Sequence, residues 1–117
     1  MKDFIYEIPT KVYFGDSHLP QFVTNISQYG KNILIVCGMG SIYRTGIFDE
    51  VESEFKAQNL NIFTLGGVES NPRVASVIEG ANLCREHKID FILAIGGGSV
   101  IDCAKGIALQ AVYDGDS

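Results

Sequence analysis

Five apolar residues, Phe91-Ile92-Leu93-Ala94-Ile95, run without a polar interruption into Gly96-Gly97-Gly98-Ser99. No other stretch constrains the fold as much. An unbroken apolar run of strand length is what a parallel strand needs when both its faces are covered, because alternation is useful only where one face meets water. The glycines that follow have no Cβ, so the backbone there is free to take positive φ and to let a ligand approach closely. From about Ser99 to Val112 the sequence reads as a helix, apolar nearly all round apart from Asp102, Lys105 and Gln110, a pattern that predicts burial between the sheet and something else. The start of a helix carries unpaired N–H groups and a partial positive charge. Bare backbone that feeds such a start is suited to an anion, most often a phosphate.

Two similar units come earlier. Asn32-Ile33-Leu34-Ile35-Val36-Cys37 reads as a buried strand that breaks at Gly38-Met39-Gly40-Ser41. Ile47 or Phe48, Val51 and Phe55 mark a helix whose wet side carries Asp49, Glu50, Glu52, Glu54 and Lys56. Asn61-Ile62-Phe63-Thr64-Leu65 predicts a second buried strand, closed by Gly66-Gly67. Asn71-Pro72 has the form of an N-cap with Pro at N1. The helix after it should turn Val74, Val77, Ile78, Ala81 and Leu83 or Cys84 inward and end in Arg85, His87 and Lys88, where cations suit the dipole. Upstream, Leu19, Phe22, Val23 and Ile26 keep helical spacing, with Pro20 in the first turn and Gly30 placed as a C′ residue. Phe4-Ile5-Tyr6 and Lys11-Val12-Tyr13-Phe14 predict one or two short strands outside this alternation.

Strand–helix alternation implies an α/β fold, a parallel sheet with flanking helices and right-handed crossovers. Ligands of such sheets bind at the carboxyl ends of the strands. Three glycine-bearing features fall there: Gly38-x-Gly40-Ser41, Gly66-Gly67 with Asn71, and Gly96-Gly97-Gly98-Ser99. Their agreement weighs more than any one of them. The dinucleotide fingerprint G-x-G-x-x-G fails at Tyr43, and no Walker A loop is present. Ser99 and Asp102 admit two readings: a capping pair at the helix start, or a phosphate on Gly97-Gly98 with Asp102 facing another part of the ligand.

Composition narrows the function classes. At 117 residues and a net charge of −5, with no Lys/Arg run, the chain has the length of one domain and lacks the basic patch of a nucleic-acid protein. Cys37, Cys84 and Cys103 lie in or beside apolar runs and predict buried, reduced thiols, hence a cytoplasmic setting. Neither a signal peptide nor a run long enough to span a membrane is expected. His18 and His87 are isolated, and no Cys/His cluster predicts a metal site within these residues.

Taken together, the motifs look familiar. Pro9-Thr10-Lys11-Val12-Tyr13-Phe14-Gly15 resembles the opening hairpin of the iron-containing (group III) alcohol dehydrogenases. Gly38-Met39-Gly40-Ser41-Ile42 resembles their first nucleotide loop, Asn71-Pro72-Arg73 their N-P motif, and Gly96 to Lys105 their G-G-G-S-x-x-D-x-x-K signature. The butanol dehydrogenase-like branch is the most similar. The resemblance implies a Rossmann-like, incomplete N-terminal nucleotide-binding domain of the dehydroquinate synthase-like/iron-dependent alcohol dehydrogenase fold, occupying residues 1–117. It implies a cofactor, NAD or NADP, with Gly97, Gly98 and Ser99 at the pyrophosphate and Gly96 also among the cofactor-binding residues. Gly38, Gly40, Ser41 and Asn71 would border the adenosine ribose, and Asp102 would stand near the nicotinamide. Relatives that demand NAD often carry Asp at the first loop, where Gly38 stands here, so NADP is also admitted.

The resemblance further implies a small alcohol or aldehyde substrate, divalent iron or zinc, and a homodimer or higher oligomer in the full-length enzyme. The family's metal ligands, an Asp and three His, belong to a helical C-terminal domain absent from these residues. The chain is therefore read as an N-terminal fragment that is inactive alone, with no catalytic residue of its own. The alternatives are a glycerol dehydrogenase or dehydroquinate synthase-like relative, or a non-catalytic phosphate-binding α/β domain.

Overall fold

A computed structural model describes residues 8–13, 19–38, 46–68, 74–96 and 98–113. Its elements, in chain order, are β1 (Thr10–Tyr13), α1 (Leu19–Ser27), β2 (Asn32–Gly38), α2 (Ile47–Ala57), β3 (Asn61–Val68), α3 (Val74–His87), β4 (Phe91–Ile95) and α4 (Gly98–Tyr113). The four strands form one parallel sheet in the order β1-β4-β2-β3.

This order dictates where the helices lie. The step from β2 to β3 moves one way across the sheet, and the step from β3 back to β4 moves the other way. Crossovers of one hand then put their helices on opposite faces. Accordingly, Val23 and Ile26 of α1 and Val51 and Phe55 of α2 pack with Ile33, Ile35, Phe91 and Leu93. On the other face Cys84 of α3 and Val100, Cys103, Ala104 and Ile107 of α4 pack with Leu34, Val36, Ile92 and Ala94. The central strands β2 and β4 are thus covered on both sides, as their unbroken apolar runs predict. Burying each such aliphatic side chain contributes about 1.5–3 kcal/mol.

Helices α3 and α4 approach closely at two glycines. A Cβ on Gly80 would overlap Ile107, and one on Gly106 would stand 3.3 Å from a methyl of Val77.

Three expectations need correction. First, Thr10–Tyr13 does not lie outside the alternation. It joins the sheet as an edge strand parallel to β4, with Tyr13 opposite Ile95. Its sequence is too short and too mixed to reveal its partner. The other segment, Phe4–Tyr6, lies outside the described residues. Second, β3 is an edge strand with Asn61 and Thr64 exposed, and it runs through Gly66-Gly67 to Val68. The register slips opposite Val36 and Gly38, so the glycines ride in an irregularity of the ladder and do not close the strand. Third, Ile78 is 46% exposed while Ala81 and Cys84 are buried. The inner stripe of α3 therefore lies to one side of Ile78. Helix α4 runs from Gly98, within one residue of the expected start, and Ser99 lies in its first turn. The Leu19 and Phe22 side chains, like Asn71-Pro72, lie outside the described residues.

Backbone bonds close the ends of α2 and α3, and side chains close the amino edge of the sheet. Asn59 (φ 62°) and Lys88 (φ 53°) take the left-handed conformation at the ends of α2 and α3, a place usually left to glycine. The Leu60 and Ile89 amides then return to the Phe55 and Cys84 carbonyls. Gly30, three residues past α1, has φ 152°, and a Cβ there would overlap the Asp90 carboxylate. That carboxylate accepts the Lys31 and Asn32 amides, each at 3.1 Å. The Asn32 side chain donates to the His87 and Lys88 carbonyls and accepts from the Asn61 side chain at 2.9 Å.

Candidate functional site

At the opposite edge the two central strands run out at glycines, β2 at Gly38 and β4 just before Gly96. Cys37 of β2 and Ile95 of β4 face each other in register, so Gly38 and Gly96 leave the sheet side by side on its two central strands. β2 sends its connection toward β3, on one side. β4 lies on the other side of β2, so the crevice between their carboxyl ends is where the strand order reverses. That is the ordinary ligand position of an open α/β sheet.

Gly96 has φ 146°, a conformation costly for any residue with a Cβ. It turns the chain out of β4 and into α4 within three residues. Among the described residues, a Cβ on Gly98 would meet nothing within 4 Å. Gly96 and Gly98 are exposed, Ser99 is half-buried, and Asp102 and Lys105 are exposed on the following turns. The amides of a helix's first turn lack intrahelical partners, and the helix dipole adds a partial positive charge. A negatively charged group of modest size suits this place.

Of the residues singled out from the sequence, the fold brings Gly38, Gly96, Gly98, Ser99 and Asp102 to one edge of the sheet. Gly40, Ser41, Asn71 and Gly97 lie outside the described residues. What the sequence reading missed is Val100, whose side chain backs Gly96. The signal was an apolar residue four positions beyond a turn glycine, which without coordinates reads as ordinary core.

Among the described residues, chemically reactive groups are sparse here. Cys37, Cys84 and Cys103 are buried thiols, as their apolar flanks predict. Burial pushes the Cys84 thiol up to about 11, the nearby Arg85 opposing this only in part, and burial raises Cys103 as well. Thiols held protonated in this way are poor nucleophiles and poor metal ligands. Among the described residues no group of three or more His, Cys, Asp or Glu side chains could hold a metal ion. His87 stacks on Phe63 at 4.1 Å between ring centroids, at the far end of α3. Among the described residues no helix is long and apolar enough to cross a membrane.

Comparison with known proteins bears on this arrangement. Residues 9–116 match the family model of the iron-containing alcohol dehydrogenases. The chain is 51% identical over 117 residues to the probable NADH-dependent butanol dehydrogenase 2 of Bacillus subtilis, covering all of this chain and 30% of that protein. It is 35% identical over 113 residues to the NADPH-dependent aldehyde reductase of Escherichia coli, covering 97% of this chain and 28% of that one. The crystal structure of NADH-dependent butanol dehydrogenase A from Thermotoga maritima superposes with a TM-score of 0.79 at 34% identity, covering 99% of this chain and 29% of that one. The chain thus spans about a third of the length of the curated relatives it matches.

Proposed function

This chain belongs to the iron-containing alcohol dehydrogenase family, and from that premise we propose that it is the cofactor-binding, amino-terminal part of an enzyme that interconverts primary alcohols and aldehydes. The cofactor is NAD or NADP, and the reaction is hydride transfer. The observation that carries this reading is the junction of β4 and α4. It is an anion-suited turn beside Gly38, at the point where the strand order reverses.

In this reading the diphosphate rests on Gly96, Gly97, Gly98 and Ser99. Gly38, Gly40, Ser41 and Asn71 border the adenosine ribose, and Asp102 stands toward the nicotinamide. Glycine at position 38 has no carboxylate to repel a 2′-phosphate, so both dinucleotides are admitted. Support for both comes from relatives named for NADH and for NADPH.

The described residues do not make an iron centre. In this reading the metal, iron or zinc, is held by a helical domain of the longer protein. Once bound it would polarise the alcohol or carbonyl oxygen. The 117-residue stretch alone turns over no alcohol, and the complete enzyme works as a homodimer or larger oligomer. Buried thiols support a reducing compartment, the cytoplasm.

The deciding experiment is fluorescence titration of the full-length protein with NADH and with NADPH, followed by turnover of butanol and butyraldehyde with added iron or zinc. Saturable binding of at least one dinucleotide, with turnover of the four-carbon pair, is the expected result. Failure of both dinucleotides to bind overturns the proposal.

A further inference from the structure

The turn between β4 and α4 leans on one side chain. Val100, the third residue of α4, is 5% exposed. A Cβ built on Gly96 would stand 2.9 Å from Val100 Cγ2 and 3.3 Å from its Cβ. The valine methyls therefore fill the space that a side chain at position 96 would occupy. Behind it, Val100 belongs to the half-core that holds Leu34, Val36, Ala94, Cys103 and Ala104. A β-branched residue in a helix has essentially one χ1 rotamer, so this is a stiff wedge. Gly98 offers no side chain to anchor the helix start, Ser99 is only half-buried, and Ile101 is half-buried one residue on. Val100 is the first buried side chain after β4, and it connects the turn's backbone to the core.

Resting on the cofactor reading above, we propose that Val100 is a positioning residue. Its branched side chain sets the height of the Gly96 backbone and the direction of the first amides of α4 toward the dinucleotide's diphosphate, with no contact to the cofactor itself. Shortening the wedge lets Gly96 settle inward and turns the amides off the anion, because the φ of a glycine offers little resistance.

The test uses the full-length enzyme and compares Val100→Ala, Val100→Thr and Cys84→Ala. Cys84 is buried in the same half-core but on α3, toward the other edge of the sheet. Val100→Ala is expected to raise Kd and KM for the cofactor about tenfold while kcat stays within about twofold, since only binding geometry is lost. Val100→Thr keeps the branched shape and is expected to hold Kd within about threefold of wild type, although its buried hydroxyl lowers Tm. Cys84→Ala is expected to lower Tm with no change in Kd. If the alanine variant does not fold, Val100→Leu replaces it, being apolar but with its branch moved away from Cβ, and a raised Kd is again expected.

An unchanged Kd in Val100→Ala overturns the proposal. So does a Kd that rises equally in the threonine or Cys84 variant, because affinity then follows stability alone. Hydrogen exchange of the wild-type enzyme with and without NADH tests the underlying reading separately. Protection of the amides at 96–99 upholds the cofactor's place whatever the valine series shows, and NADH binding without that protection overturns it.

Discussion

The two ends of the same four strands are finished in different materials. At the amino edge, side chains close the structure: the Asp90 carboxylate takes two backbone amides, and Asn32 joins it to the last carbonyls of α3 and to Asn61 of β3. At the carboxyl edge, Gly38 and Gly96 end the central strands, and no described residue stands within 4 Å of where a Gly98 side chain would begin. A buried or half-buried polar group that is fully bonded defines one geometry and is costly to disturb. A glycine turn contributes little to stability, and the helix start that follows it leaves donors for a ligand. One edge therefore specifies the register of the sheet, and the other is available for binding.

This contrast predicts opposite responses to mutation. The largest expected effect is at the amino edge. Gly30→Ala forces a Cβ onto the Asp90 carboxylate at a φ that side chains avoid, and is expected to cost about 3 kcal/mol or more of folding stability. Asp90→Ala removes the obstruction but orphans two amides, at about 1–3 kcal/mol. Equilibrium unfolding of the full-length protein measures both. Cofactor Kd, measured on whatever remains folded, should stay near wild type.

Next comes Gly98→Val at the carboxyl edge. With no described residue within 4 Å of the new Cβ, Tm should barely move. The cofactor Kd should rise at least about tenfold, a loss near 1.4 kcal/mol, because the branched side chain occupies the anion's approach. A Tm collapse without loss of affinity would reverse the assignment of the two edges.

The smallest expected effect is a pH response of the core between them. Burial raises Cys84 from its ordinary 9.0 to about 11. The folded thiol thus keeps its proton where the unfolded one has lost it. Its contribution is complete below about pH 9 and is lost as pH rises toward 11, since the unfolded state then binds fewer protons than the folded one. Tm measured across that window should fall more steeply in wild type than in Cys84→Ala. Equal slopes would mean that other groups carry the alkaline loss.

Local signals carried much of the fold. The runs Ile33–Cys37 and Phe91–Ile95 have the length and continuity of doubly covered strands. Val51 and Phe55 lie four apart on the face that packs on β2. Gly96 was recognisable as a turn because the apolar run stops there. Less of the site's construction was legible. β1 lacks any feature that names β4 as its neighbour, since pairing between strands so far apart in sequence leaves no local trace. The non-glycine helix ends at Asn59 and Lys88 were hidden for a related reason. Contacts made elsewhere, such as the Asn32 amide on the α3 carbonyls, hold a conformation that local preference disfavours. Val100 looked like any core valine.

By itself, then, the order of residues determined that this chain alternates strand and helix, buries its central strands on both faces and places glycines after them. Those are consequences of hydrophobic periodicity and of the missing Cβ, which act over a few residues at a time. Only the tertiary structure decided that β4 inserts between β1 and β2, that Gly38 and Gly96 therefore emerge together, and that Asp90 closes the opposite edge beneath Gly30. Each of these depends on which distant segments share a layer, and that choice is made by the packing of the whole sheet.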